Sequence, residues 1–203
     1  MNTRLQVEHC VTEEAFDVDL VDAQLLVASG LALPFSQAEL TPMAAAIELR
    51  LYAEDPYENY RPSPGLLTAY AAPSGPGVRV DDGVEAGQEV SSLYDPMVAK
   101  LIVRGADREQ AIRRARVALE EYDVAGIRTN LPLLKVVLRS ELFLAGGYTT
   151  AILSQIPPLE RPETTEEVAD VARVLAALTQ RDKTPKGGPD SGATSLTGWS
   201  AWS

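Results

Sequence analysis

Cysteine and histidine are almost missing from this chain of 203 residues; each occurs once, side by side, as His9 and Cys10. A single cysteine excludes an intrachain disulfide and fits a reduced, cytosolic protein in which Cys10 is a small buried thiol. A nucleophilic Cys10 served by His9 is disfavoured. Neighbours on an extended strand point to opposite faces, and no third group stands ready to orient the histidine. Positive charge is short as well: 18 Lys and Arg face 29 Asp and Glu, a formal net charge of -11. Phosphate backbones require a basic face, so the balance argues against nucleic acid, and against an anionic membrane surface. No apolar run is long enough to span a bilayer, and no signal-peptide pattern is present. What remains is ordinary for a globular protein, with 45% hydrophobic and 23% charged residues and enough length for a domain with a real core plus a tail.

The first nine residues alternate. Met1, Thr3, Leu5 and Val7 share one face of an expected strand, and Asn2, Arg4, Gln6 and Glu8 share the other. Residues 17–29 read as a helix stopped by Gly30, and residues 46–53 as a second alternating strand. From 55 to 77 proline and glycine punctuate short apolar pieces, which predicts loops joining short strands. Residues 78–80 and 97–103 read as further strands. Asp107 with Gln110 resembles a capping box. The helix it opens runs to about Tyr122, with Ala111, Ala115, Leu119 and Tyr122 inward and Arg108, Arg113, Arg114 and Arg116 on a solvated face. Asn130 is expected to cap a helix through Leu138, with Pro132 in its first turn. A further amphipathic helix is expected over 165–180, and 182–203 has linker composition. Short strands set apart from a few helices give an α+β class with a mostly antiparallel sheet.

The polar face of the first strand carries the most chemistry. Asn2, Arg4, Gln6 and Glu8 would project together at intervals of about 6.6–6.8 Å. They set out a neutral ligand, a fixed cation, an amide and a carboxylate in one line. Such a row could grip a small planar anion, orient it and take its proton. It is equally what a solvated strand face looks like.

Longer motifs favour the chemistry. The run Met1-Asn2-Thr3-Arg4-Leu5-Gln6-Val7-Glu8-His9, followed by Val11-Thr12-Glu13, resembles the signature of the biotin carboxylases of acyl-CoA carboxylases. The likeness continues in order through Ala53-Glu54-Asp55-Pro56, Pro62-Ser63-Pro64-Gly65, Gly75 to Arg79, Tyr94-Asp95-Pro96-Met97, Lys100-Leu101-Ile102 and Thr129-Asn130. It spans residues 1 to about 153, and several motifs in series are far more specific than one.

The resemblance implies the end of an ATP-grasp domain over 1–40 and a biotin carboxylase C-terminal domain over 41–158, an antiparallel sheet with flanking helices. A helical extension over 159–181 and a flexible linker over 182–203 would follow. It implies ATP, Mg²⁺ or Mn²⁺, and bicarbonate as cofactors and substrates, with biotin carried on a separate domain. Asn2 matches a metal ligand; Arg4, Gln6 and the backbone of Val7 match a bicarbonate site; Glu8 matches the base that deprotonates bicarbonate for carboxyphosphate formation. Arg79 matches the cation beside the enolate-like oxygen of biotin. His9 reads as structural, and Tyr94 and Asp95 as fixing a strand start more than lining a biotin site.

The implied partners are a biotin carboxyl carrier domain, a carboxyltransferase, a nucleotide-binding half that would lie before Met1, and a second copy in a homodimer. Without that half the chain is expected to be inactive alone. Cys10 stands where the family usually has proline, and Leu49 where it often has cysteine. A non-catalytic assembly fragment and another ATP-grasp ligase are the alternatives.

Overall fold

The computed structural model describes residues 2–163, 165–166 and 170–174. The chain divides into two compact units, 1–160 and 161–203. In the second, residues 166 and 170–174 are helical; the rest of the expected 165–180 helix and the 182–203 linker lie outside the described residues.

The elements of the first unit run α1 (His9–Phe16), α2 (Leu20–Ala28), β1 (Ala45–Tyr52), β2 (Glu54–Asp55), β3 (Arg61–Pro62), β4 (Gly65–Leu66), β5 (Ala69–Ala71), β6 (Val78–Asp82), β7 (Glu89–Val90), β8 (Met97–Gly105), α3 (Arg108–Glu121), β9 (Asp123–Ala125), α4 (Leu131–Val137), α5 (Glu141–Ala145) and α6 (Ile152–Gln155). The main sheet is antiparallel in the order β1-β8-β6, and the proline- and glycine-rich stretch supplies two-stranded ribbons β2-β3, β4-β7 and β5-β9. The class is α+β, as the pattern of short strands and separate helices predicts.

Register gives the main sheet two unlike faces. Glu48 pairs with Ile102 and Arg50 with Lys100 across β1 and β8, while Arg79 pairs with Ile102 and Asp81 with Lys100 across β6 and β8. With side chains alternating, one face holds Ile47, Leu49, Leu51, Leu101, Val103, Val78 and Val80. On it packs α3, whose stripe of Ala111, Ala115 and Leu119 is fully buried in the same core. Burying a leucine such as Leu51 or Leu101 contributes about 1.5–3 kcal/mol.

The other face carries Glu48, Arg50, Lys100, Arg104, Arg79 and Asp81, and α1 lies against it. Arg50 donates to Glu8 (2.7 Å), Lys100 to the Val7 carbonyl (3.3 Å), Arg79 to Glu13 (2.9 Å) and Arg104 to Asp17 (3.3 Å). This face is thus closed by ion pairs.

Three expectations are corrected. Residues 2–8 form no strand: alternation needs a ladder partner to become one, and none of the sheets takes this segment. The backbone instead turns at 7–8, the His9 and Val11 N–H groups donate to the carbonyls of Gln6 (3.2 Å) and Glu8 (3.1 Å), and the turn winds into α1, which pattern reading missed. Asn130 precedes α4 but makes no side-chain cap. Its amide accepts from the Tyr52 N–H (2.9 Å) and donates to the Arg50 carbonyl (3.0 Å), extending the edge of β1 as a strand would. Nor are the α3 arginines merely solvated. Arg116 donates to the Leu138 carbonyl and Arg108 to that of Phe143, lying over the Phe143 ring, while Arg114 donates to the Arg104 carbonyl. That last contact fills the space beside Gly77, whose positive φ and lack of a Cβ admit it. The α3 cap has its expected donor, Gln110 N–H to Asp107 (2.7 Å), while the Gln110 side chain returns to the Ala106 N–H (2.7 Å).

Candidate functional site

Although they form no strand, Asn2, Arg4, Gln6 and Glu8 still meet. They line one open groove of about 1000 Å³, closed on its far side by α2 residues such as Leu20, Ala23 and Gln24. The α2 wall is held by its cap, Asp22 N–H to Asp19 (2.7 Å), and by the Leu20 N–H donating to Glu13 (3.0 Å). Asn2 and Arg4 are exposed, and Arg4 spends one guanidinium N–H on the Leu5 carbonyl (3.1 Å). The rest of that fork is the kind of donor set a carboxylate or bicarbonate fits. Val7 does not line the groove; its carbonyl faces Lys100.

Glu8 is the groove's carboxylate, and Arg50 is its cation, 2.7 Å away. Its own backbone N–H, then the Arg50 and Arg4 guanidiniums, hold the Glu8 acid below the ordinary carboxylate range despite some desolvation. Glu8 is therefore ionised at neutral pH, as a proton acceptor must be. Arg50 also donates from Nε to Glu48 (3.2 Å), whose side chain is only 5% exposed. Burial works against the Arg50 charge, but hydrogen bonding to Glu48 and Tyr52 outweighs it and raises its pKa.

Arg79, the expected biotin cation, is elsewhere. It binds Asp81 side-on through Nε (2.8 Å) and Nη2 (3.0 Å), and Nη1 reaches Glu13 (2.9 Å). It lines a second hollow of about 560 Å³ with Glu13, Glu14 and Asp17, to which His9 is the one contributor shared with the groove. Asp81 also accepts from the Cys10 thiol (3.2 Å) and pairs with Lys100 (3.3 Å), which in turn donates to Cys10 Sγ (2.9 Å). Burial would raise Asp81, but the bonds from Arg79, Cys10 and Lys100 prevail and hold it at about 2. Burial pushes the Cys10 thiol up, so it stays protonated and inert, as the sequence suggested. His9 is structural here too, with Nδ1 against the Gln6 carbonyl at 2.7 Å.

Metal chemistry has little to rest on among the described residues. Asn2 offers one amide oxygen, and the groove's only carboxylate is committed to Arg50, so these side chains alone do not make a Mg²⁺ site. His9, Cys10 and Glu13 bring ligand atoms within 4.8 Å of one another. Arg79 and Lys100 already supply the positive charge there.

Sequence reasoning did not single out Arg50, Glu48, Glu13, Asp81 or Lys100 for the site. The alternation of Glu48, Arg50 and Tyr52 against Ile47, Leu49 and Leu51 was visible. Which side chain each would meet was not.

Set beside known proteins, residues 48–155 match the family "Biotin carboxylase C-terminal domain", and residues 1–36 match "Carbamoyl-phosphate synthase L chain, ATP binding domain". A biotin carboxylase of Halalkalibacterium halodurans is 49% identical over 154 residues, 76% of this chain and 34% of the relative. The human mitochondrial propionyl-CoA carboxylase alpha chain is 44% identical over 160 residues, 78% of this chain and 22% of that one. The biotin carboxylase domain dimer of Hydrogenobacter thermophilus 2-oxoglutarate carboxylase, solved with MgADP, ADP and bicarbonate, superposes with a TM-score of 0.77 at 39% identity, over 80% of this chain and 36% of that one. The chain spans about a third of the length of the bacterial biotin carboxylases it matches.

Proposed function

The chain belongs to the biotin carboxylase C-terminal domain family, and we propose that it is the bicarbonate- and biotin-handling part of an enzyme that carboxylates biotin at the expense of ATP. The observation that carries the reading is the groove. Arg4 and Gln6 can grip and orient a planar anion, and Glu8, kept ionised, stands beside them to take its proton. Arg50 places a fixed positive charge at the same carboxylate, where negative charge would develop on the reacting oxygens.

We assign to Arg50, rather than Arg79, the role of the cation beside biotin, because Arg79 has its donors turned to Asp81 and Glu13 in a separate hollow. Asn2 is read as a contributor to a metal site whose other ligands lie outside the described residues. ATP binding likewise needs groups that the groove does not offer, so the chain by itself is proposed to bind bicarbonate without cleaving ATP.

The finer points are also proposals: an acyl-CoA carboxylase as parent, domain limits near 40 and 158, a cytoplasmic setting, and a carrier domain, a carboxyltransferase and a second copy as partners. The test is ¹³C-bicarbonate titrated into the chain and followed by NMR. Binding that disappears in Arg4→Ala supports the groove; binding indifferent to Arg4→Ala and Gln6→Ala removes it.

A further inference from the structure

Two arginines on the same sheet face treat their carboxylates differently. Arg79 closes the edge formed by Nε and Nη2 on both oxygens of Asp81. Arg50 splits the same edge: Nε goes to Glu48 Oε1 at 3.2 Å, but Nη2 goes to Glu8 Oε2 at 2.7 Å. The consequence is an orphan. Glu48 Oε2 is buried and has no hydrogen-bond partner. An unsatisfied buried oxygen is unfavourable, and a charged one more so, so its persistence asks for a reason.

We propose that Glu48 is a positioning residue that offers Arg50 a second seat. With Glu8 free, Nη2 rests on Glu8. When Glu8 is engaged by substrate or neutralised, Nη2 moves to Glu48 Oε2, and the pair closes side-on as Arg79 and Asp81 do. The motion is a small turn of the guanidinium about the anchored Nε. It releases the Glu8 carboxylate without leaving the Arg50 charge unpaired. The alternating register of β1 puts Glu48 and Arg50 on one face, two residues apart, so the second seat is within reach of the same fork. The functional meaning rests on the reading of Glu8 as a base; the geometric claim does not.

The experiment is NMR of the 203-residue chain, measuring rotation of the Arg50 guanidinium about its Nε–Cζ bond. Glu8 is 56% exposed, so Glu8→Ala is expected to fold. The proposal predicts that losing Glu8 makes Arg50 more restrained: rotation slows about tenfold as a charge-assisted bond to a buried carboxylate replaces one to an exposed carboxylate. Adding Glu48→Gln, which keeps one acceptor for Nε and removes the second, restores fast rotation. If Glu8→Ala alone sets Arg50 free, there is no second seat and the proposal fails. A folded Glu48→Gln single variant with unchanged Nε–H protection separates this outcome from damage to β1. Failure of bicarbonate to bind would sink the functional reading while leaving this result intact.

Discussion

Arg50 and Arg79 flank the central strand β8 on one face of one sheet, yet one is open and the other shut. The two closest partners of Arg79, Asp81 and Glu13, are themselves tied down. Asp81 also holds Cys10 and Lys100, and the other oxygen of Glu13 accepts from the start of α2. Around Arg50 the partners are unequal: a half-exposed Glu8 facing the groove and a buried Glu48 with a spare oxygen. A closed network fastens α1 to the sheet, whereas an open one has capacity left to meet a ligand. On the proposed function, chemistry is assigned to Arg50 and stability to Arg79, although sequence motifs drew attention to Arg79.

The largest expected effect is at the open end. In the complete carboxylase, Glu8→Gln keeps size and hydrogen-bonding shape but removes the proposed base, so bicarbonate-dependent ATP cleavage and biotin carboxylation should both fall about 10²–10⁴-fold. A steady-state assay of both reactions checks this; a loss under tenfold would take Glu8 out of the proton transfer.

Next comes the shut end. Glu13 is 9% exposed, and Glu13→Ala removes a partner of Arg79 together with the acceptor for the Leu20 N–H. Unfolding in urea should show a loss of about 2–3 kcal/mol with an unchanged m-value, since one partner of a largely buried pair is deleted. A loss no larger than that of a surface pair would mean the network fastens nothing.

Legibility followed the same division. Features set by neighbours along the chain could be read: the β1 alternation, the Asp107 cap of α3 and its alanine stripe. Features set by distant partners could not. Alternation over residues 1–9 suits a strand only if another strand pairs with it, and where none does the backbone turns at 7–8 and leads into α1. Glu8 meets Arg50 across 42 positions, Glu13 meets Arg79 across 66, and Asn130 leaves its expected cap for a backbone 78 positions away. Only the register of β1, β8 and β6 brings these together. The four groove residues were found because a motif named them, and their strand was the wrong vehicle for a sound grouping.

A smaller effect separates the networks by pH. The Asp81 acid is lowered from 3.8 to about 2 on folding, so it binds its proton less tightly folded than unfolded. Its contribution is complete above pH 3.8 and is lost as pH falls toward about 2, amounting to no more than about 2 kcal/mol. Acid unfolding of Asp81→Asn should lack that part of the slope; an identical slope would mean Asp81 is not held by Arg79 and Lys100. The smallest effect is the stability cost of Glu8→Ala, which should be slight because the Glu8–Arg50 pair is exposed and Arg50 keeps its bond to Glu48. Urea midpoints would show it.

The most direct test of the contrast between the two arginines is a crossed comparison of Arg50→Lys and Arg79→Lys, each keeping charge and losing the planar fork. Biotin carboxylation in the complete enzyme and urea stability of the chain are measured for both. Arg50→Lys should lower carboxylation about 10²–10³-fold and leave the urea midpoint nearly unchanged. Arg79→Lys should shift the midpoint and keep the turnover of the folded enzyme. Equal effects, or carboxylation lost with Arg79→Lys at full stability, would contradict the assignment and return the catalytic cation to Arg79.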